Sequence, residues 1–311
     1  MPDVNPDSYR LITRSDFDGL VCAVLLKEQE NIEEIQFVHP KDMQDGLIEI
    51  HGNDLTANLP YVNGVYRAFD HHFSETIRNK GKADNHIIDP DAPSAARVIY
   101  NFYGGEESFP NVSPDMMDAV DKGDSASFNI EEVLNPREWV LLNFIMDART
   151  GLGRFRNFRI SNYQLMMDLI EYCRDHSITE ILELPDVKER VDLYFEHQDA
   201  FRRQIRENSR VDGDILIVSL LDAEPIYAGN RFVKYALYPE TSVSIQQIWG
   251  YNRENIVFTV GRSIFNKISQ VNIGELMLEY GGGGHAAAGT CQVESDRADE
   301  VLQELLRRLK D

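Results

Sequence analysis

The sequence lacks the cysteine patterns and long apolar runs that mark disulfide-rich and membrane-spanning proteins. Its three cysteines, Cys22, Cys173 and Cys291, form neither a disulfide framework nor a zinc-knuckle spacing, so we expect buried, reduced thiols. No apolar run approaches the length that spans a bilayer. Residues 1–7 have neither the basic start nor the apolar segment of a signal peptide. These absences predict a cytoplasmic protein.

The chain also has far fewer basic than acidic residues. The chain has 31 Lys and Arg residues against 52 Asp and Glu residues, a formal net charge of −21. Tracking a long nucleic acid rests on neutralising many phosphates with Lys and Arg, so this balance argues against that function. A short or small phosphorylated substrate held by a few cations remains compatible with it. Most of the excess acid is expected on the solvated surface.

Apolar residues make up 42% of the chain, enough for one large domain or two ordinary ones. Over residues 9–89, short apolar runs alternate with helical stretches, which indicates a mostly parallel sheet with helices on its faces. Helical spacing dominates residues 94–184, and strands return after residue 211. The sequence therefore predicts an α/β fold in three parts, namely residues 1–185, a charged connector helix at 186–210 and a smaller C-terminal α/β domain at 211–311.

Two adjacent histidines follow an apolar run in the first half of the chain. The stretch Asp70-His71-His72 comes directly after residues 65–69, which are typical of a buried strand. The loop after such a strand lies at the rim of the sheet, where open α/β sheets bind their ligands. A carboxylate and neutral imidazoles are ligands that suit manganese, iron or zinc. A solvated loop is the alternative for the histidine pair taken alone.

Further acids stand where other elements are expected to end. These are the motif Asp16-x-Asp18-Gly19, then Asp54, then Asp124. The Asp-x-Asp-Gly motif and Asp124 have plain alternatives, because Asp and Gly are common turn formers and Asp124 can belong to an acidic loop after a helix. Together with the two histidines, these acids would satisfy two divalent cations a few ångströms apart, an arrangement that activates water against phosphorus.

A glycine run marks the C-terminal part of the chain. Gly281 to Gly284 are followed by His285, and Arg262 precedes them. A flexible linker is one alternative, but linkers do not usually lie between an apolar helix and an alanine-rich one. Free amides near a helix start would form an anion nest, to which charged side chains add donors for a phosphate. The candidate phosphate-binding residues are Arg262, Gly282, Gly283, Gly284 and His285.

Taken in order, these motifs resemble the DHH family of phosphoesterases with a C-terminal DHH-associated domain, in its oligoribonuclease and exopolyphosphatase-related branch. The motifs that carry the resemblance are Asp16-x-Asp18-Gly19, Asp54, Asp70-His71-His72, Asp124 and Gly282-Gly283-Gly284-His285. They span nearly the whole chain. The resemblance implies a DHH domain in residues 1–185 and a DHH-associated, substrate-binding domain in residues 211–311.

The resemblance further implies a metal-dependent phosphoesterase that hydrolyses phosphodiester bonds of short oligonucleotides or small nucleotides through a water activated by two metal ions. A phosphoanhydride hydrolase of the exopolyphosphatase or pyrophosphatase kind is the alternative. The family shares one metal centre among these substrates, so the motifs do not choose between them. The expected partner is a short oligonucleotide, a nucleotide or a small phosphate, with no membrane.

By the same resemblance, two manganese ions are expected, with magnesium as the other candidate. The implied ligands are Asp16 and Asp54 for the first ion, and Asp18, Asp54, His71 and Asp124 for the second, with Asp54 bridging both. His72 would face the phosphate. Asp70 would orient the imidazoles, as a carboxylate commonly does beside metal-bound histidine.

One position departs from the family pattern. Many members have a metal-binding histidine where this chain has Ile12, and Arg14 stands where Asn or Asp is common. Isoleucine cannot bind a metal. The first site is therefore expected to be weak, to be rebuilt from other residues, or to be occupied by the Arg14 guanidinium. A degenerate member that binds a nucleotide without turnover is the remaining alternative.

Overall fold

The structure, a computed structural model, describes residues 6–78, 83–155 and 157–310. The chain divides into two compact units, and the division falls inside the long helix that begins at Pro185. The first unit comprises Met1–Phe128 with Pro136–Asp192, and the second comprises Asn129–Asn135 with Leu193–Asp311. None of the described helices is long and apolar enough to cross a membrane.

The elements follow in chain order. The strands are β1 (Tyr9–Arg14), β2 (Ile32–Val38), β3 (Asp54–Ala57), β4 (Arg67–Asp70), β5 (His86–Ile88), β6 (Ser209–Asp212), β7 (Ile215–Ser219), β8 (Val243–Trp249), β9 (Ile256–Arg262), β10 (Gly283–His285) and β11 (Ala288–Val293). The helices are α1 (Phe17–Gln29), α2 (Pro40–Gln44), α3 (Phe73–Arg78), α4 (Ala95–Phe102), α5 (Pro114–Ser125), α6 (Ile130–Leu134), α7 (Glu138–Met146), α8 (Asn162–Asp175), α9 (Ile178–Glu183), α10 (Pro185–Glu207), α11 (Val233–Leu237), α12 (Ile273–Leu278) and α13 (Ala298–Lys310).

The first unit contains a parallel sheet in the order β2-β1-β3-β4-β5, as the alternating pattern predicts. Strand β1 lies inside the sheet between β2 and β3, and its consecutive residues Leu11, Ile12 and Thr13 are buried, so both of its faces are covered. Thr13 pairs with Ala57, and Ala57 pairs with Phe69. The carboxyl ends of β1, β3 and β4 therefore lie side by side, and the loops that follow them share one edge of the sheet.

Helix α1 fixes the loop that follows β1. Asp16 caps it, with Oδ1 accepting a hydrogen bond from Gly19 N at 2.9 Å. A Cβ on Gly19 would lie 1.9 Å from Arg14 O, so only glycine lets the helix start this close to the strand. The helix then buries an unbroken apolar stretch as far as Leu26, packed against α4, α5 and α8.

The second unit contains a mixed sheet in the order β10-β11-β9-β8-β7-β6. Its core joins apolar residues of the central strands to those of α12 and α13, including Val260, Met277 and Leu305. The long helix α10 agrees with the charged helix predicted at 186–210 except at its last turn, where the chain leaves the helix before β6. The predicted α/β class, with a helix-flanked parallel sheet and a second domain built on a mixed sheet, is confirmed.

Candidate metal centre

Three side chains from different elements converge at the carboxyl edge of the first sheet. Asp18 lies in the first turn of α1, His71 follows β4, and Asp124 lies near the end of α5. One potential ligand atom from each lies within 4.8 Å of the others. The closest pair is His71 Nε2 and Asp124 Oδ2, at 2.9 Å. These residues could hold one metal ion.

The environment of His71 fits a metal ligand. Its Nδ1 lies 3.1 Å from the carbonyl oxygen of Ala92, which can only accept, so Nδ1 carries a proton. Nε2 is buried and lacks an aligned hydrogen bond, although Asp124 is close. Burial lowers the pKa of His71, but the contact with Asp124 and its charge outweigh burial and raise the pKa to about 9. A metal ion would displace that proton from Nε2.

Asp18 adds a buried carboxylate to the same candidate metal centre. Its side chain is almost fully buried, and its oxygens accept hydrogen bonds from Ala96 N at 2.8 Å and Ala95 N at 3.0 Å, at the start of α4. Burial, together with the charge of Asp124, raises the pKa of Asp18 to about 7. Two carboxylates held this close favour a cation between them.

Asp70 is bound to His72 rather than to His71. Its Oδ1 accepts hydrogen bonds from His72 Nδ1 at 2.7 Å and from the backbone N of His71 at 2.8 Å. Burial lowers the pKa of His72, but the hydrogen bond to Asp70 outweighs it and raises the pKa. The charged imidazolium is thus favoured, and its Nε2 is the atom suited to donate to a phosphate oxygen. Of the two imidazole side chains, Asp70 therefore orients that of His72.

The side chain of Asp16 is already engaged by N–H donors. Its Oδ2 pairs with Arg14 Nε at 2.8 Å. Its Oδ1 accepts from Asn58 Nδ2 at 3.1 Å as well as from Gly19 N. The Arg14 guanidinium thus supplies positive charge beside the carboxylate that was expected to hold the first cation.

Asp54 lies at the other edge of the sheet, so the expectation that it bridges two cations is wrong. It begins β3, where it pairs with Arg10 rather than with the end of β1. Arg10 donates to both of its carboxylate oxygens, at 2.8 and 2.6 Å, and His51 N donates at 2.7 Å. Asn58 is the residue that follows the carboxyl end of β3.

The side chains of Ile12 and Asp121 are engaged away from the metal centre. Ile12 is fully buried and packs with Val38 and Leu59, so it is a core residue of β1. Asp121, one turn before Asp124 in α5, accepts hydrogen bonds from Ser94 Oγ at 2.7 Å and Arg97 Nε at 2.9 Å. Asp121 is therefore bound to Ser94 and Arg97, whereas Asp124 faces His71.

The glycine-histidine motif lies in the second unit and differs from the expected form. Gly283–His285 is an edge strand paired with β11, and the residues after it form that strand rather than a helix. The predicted anion nest at a helix start is therefore wrong. A Cβ on Gly282 would lie 2.0 Å from Thr290 O, so this glycine permits close approach of two backbones. Arg262 ends β9 and donates its backbone N–H to Ala287 O at 2.8 Å, which places it at the same end of the sheet as His285.

Comparison with solved structures identifies a close relative. A scan against protein-family models gave no match, and neither did a search of the curated proteins. The pGpG-specific phosphodiesterase PggH from Vibrio cholerae is 57% identical, covers 97% of this chain and 99% of its own, and superposes with a TM-score of 0.86. An exopolyphosphatase-related protein from Bacteroides fragilis is 14% identical, with 98% and 94% of the chains covered and a TM-score of 0.55, so it shows the shared fold.

The relative from Vibrio cholerae is similar along almost the entire chain, with both units included. The hydrolase class and the family predicted from the ordered motifs are confirmed. With 57% identity over nearly the whole of both sequences, this chain belongs to the DHH family of metal-dependent phosphoesterases.

Proposed function

We propose that the chain hydrolyses the phosphodiester bond of a short purine dinucleotide such as pGpG, with one manganese ion held by Asp18, His71 and Asp124. The observation that carries the proposal is the convergence of these side chains in a protein so similar to a pGpG-specific phosphodiesterase. Two carboxylates and one imidazole suit manganese, and magnesium is the alternative ion.

The residues around the ion have separate tasks. A bound ion of this kind lowers the pKa of a water molecule and neutralises charge on a phosphate oxygen. His72, oriented by Asp70, donates a hydrogen bond to the phosphate from Nε2. Arg14, fixed by its ion pair with Asp16, adds positive charge where a second cation was expected. The centre thereby differs from the two-ion arrangement that the family resemblance implies.

Titration with manganese should show one ion per chain. Asp16 offers no unoccupied oxygen to a second ion, because Arg14, Asn58 and Gly19 already donate to it. Calorimetry and electron paramagnetic resonance of bound Mn²⁺ measure the stoichiometry and any coupling between ions. Two ions bound with similar affinity would contradict the one-ion centre.

A double variant tests whether Arg14 and Asn58 are what exclude a second ion. Arg14→Ala with Asn58→Asp removes the guanidinium and supplies a carboxylate at the end of β3, so it should take up a second ion. Arg14→Ala with Asn53→Asp is the matched control, because it changes the net charge equally but adds the carboxylate before β3, where Asn53 Nδ2 donates to Ser8 O. A double variant that still binds one ion would show that the backbone, rather than Arg14, limits the centre.

We infer that Arg262 and His285 contact a phosphate group of the substrate. Arg262→Ala should raise KM for pGpG about 10- to 100-fold with little change in kcat, because a hydrogen bond to a charged group is worth about 1.5–3 kcal/mol. Arg253→Ala is the control, since Arg253 is an exposed arginine of the same unit that makes a surface pair with Glu224. An unchanged KM would remove Arg262 from the substrate site.

Substrate choice is tested directly with the pure protein and manganese. We expect pGpG to be cleaved to two mononucleotides, in preference to pyrophosphate, polyphosphate and long single-stranded RNA. The net charge of −21 offers little to a long phosphate backbone, so rates should not rise with RNA length. Faster turnover of polyphosphate would favour phosphoanhydride hydrolysis, and binding of pGpG without any product would favour a non-catalytic protein.

A further inference from the structure

A basic and aromatic segment of the first unit is not accounted for by the metal centre. Residues 149–159, Arg-Thr-Gly-Leu-Gly-Arg-Phe-Arg-Asn-Phe-Arg, contain four arginines and two phenylalanines and no acid, within a chain of net charge −21. We call it the Arg-Phe segment. Arginine and aromatic side chains together are the usual means of binding nucleotide bases and phosphates.

Two cavities adjoin this segment. The outer one has a volume of about 460 Å³ and is lined by Phe155, Phe158 and Asn162 among others. The inner one, of about 70 Å³, shares Gly153 and Asn162 with it and also touches Ser15. Ser15 lies between Arg14 and Asp16. The inner cavity therefore adjoins the loop after β1, and the outer volume falls within the range of about 300–1,000 Å³ that holds small ligands.

Arg190 packs against one face of the Phe158 ring. The buried Arg190 guanidinium lies over this ring, 4.1 Å from the centroid. Arg190 also donates to Ile160 O at 2.8 Å and to Asn162 Oδ1 at 3.1 Å. One face of the ring is thus covered and fixed, while the side chain lines the outer cavity. A preordered ring loses little entropy when a base stacks on it.

Charge at the segment favours an anionic ligand. Arg149 donates from Nε to Asp147 Oδ1 at 2.7 Å. Burial lowers the pKa of Arg149, but this contact and the charges of Asp16 and Asp124 outweigh burial and raise it. In the part of the chain that the structure describes, the Arg154 guanidinium has no hydrogen bond or ion pair. It packs over Gly151, where a Cβ would lie 2.0 Å from its Nη1. Arg154 is therefore available to pair with a phosphate.

We propose that the Arg-Phe segment is the nucleotide-recognition subsite of the enzyme. Phe155 and Phe158 stack on a purine base in the outer cavity, and Arg154 pairs with the terminal 5′-phosphate. This inference rests on the proposed function, because the subsite would hold a base of the dinucleotide that the metal centre cleaves. It accounts for selection of a short nucleotide by an acidic protein, since stacking needs no long phosphate backbone.

Binding is measured with a 5′-phosphorylated dinucleotide that carries 2-aminopurine, in calcium to prevent turnover. Stacking on phenylalanine quenches 2-aminopurine fluorescence. Phe155→Ala and Phe158→Leu should each raise Kd about 5- to 150-fold, the equivalent of one base stacking on an aromatic ring, and should reduce quenching. Phe158→Tyr should retain both signals because the ring remains. Tyr251→Ala, which removes an aromatic side chain that is 83% exposed in the second unit, is the control.

The phosphate contact is tested by comparing pGpG with GpG. Arg154→Gln should lose about tenfold or more in kcat/KM for pGpG and little for GpG, because only the former carries the 5′-phosphate. Arg154→Lys should recover part of the loss. If wild-type protein cleaves pGpG but the phenylalanine variants keep wild-type Kd and quenching, the subsite is overturned and the proposed function stands. If wild-type protein neither binds nor cleaves pGpG, the proposed function itself fails.

Discussion

Replacing His71 with alanine should abolish manganese-dependent hydrolysis. The variant removes the one nitrogen of the centre, whose Nδ1 is fixed by Ala92 O and whose Nε2 faces Asp124. Loss of an outer partner of a ligand already costs about 10- to 100-fold in metal affinity or activity. Loss of the ligand itself should therefore cost at least about a thousandfold in kcat/KM and reduce manganese binding in calorimetry by a similar factor.

The matched control is His176→Ala, which removes an imidazole at the end of α8, remote in sequence from the centre. Its activity and manganese affinity should equal those of the wild type. Circular dichroism and thermal melting show whether His71→Ala has folded, because Asp18 and Asp124 lose their neutralising partner in the metal-free protein. A folded His71→Ala protein with wild-type rate and manganese affinity would remove this centre from consideration.

The sequence located the centre because parallel strands end at one edge of a sheet. That rule alone indicated that Asp18 and His71 lie near each other, since each follows an apolar strand. Asp124 could not be placed by it, because a helix rather than a strand carries this residue. The sequence offered Asp124 as a candidate acid, the family resemblance assigned it to a metal, and the structure brings it within reach of the other two.

The rule misplaces Asp54 because this residue precedes its strand rather than following it. The apolar run that ends at Ile50 suggests a strand before Asp54, whereas β3 begins at Asp54 and buries Leu55 and the residues after it. An acid before a strand and an acid after it lie at opposite edges of the sheet. The buried residues after Asp54, and the asparagine that ends them at position 58, were the signal that could have located the loop.

Asp54→Ala should weaken folding and spare the metal centre. Asp54 is fully buried, and its loss leaves Arg10, whose side chain is only 13% exposed, without its carboxylate. Breaking such a pair costs about 3–5 kcal/mol, a large part of the roughly 5–15 kcal/mol that stabilises a typical domain. We expect a large fall in the denaturant midpoint, with manganese stoichiometry and kcat unchanged below that midpoint.

A double variant separates charge from packing. Arg10→Met with Asp54→Leu removes both charges and fills similar volume, so it should recover much of the stability that Asp54→Ala loses. The recovery follows because the penalty of the single variant is an unpaired buried guanidinium rather than a missing metal ligand. If Asp54→Ala instead keeps its denaturant midpoint and loses manganese, Asp54 reaches the centre after all, and the register of β3 with β1 at Arg10 is incorrect.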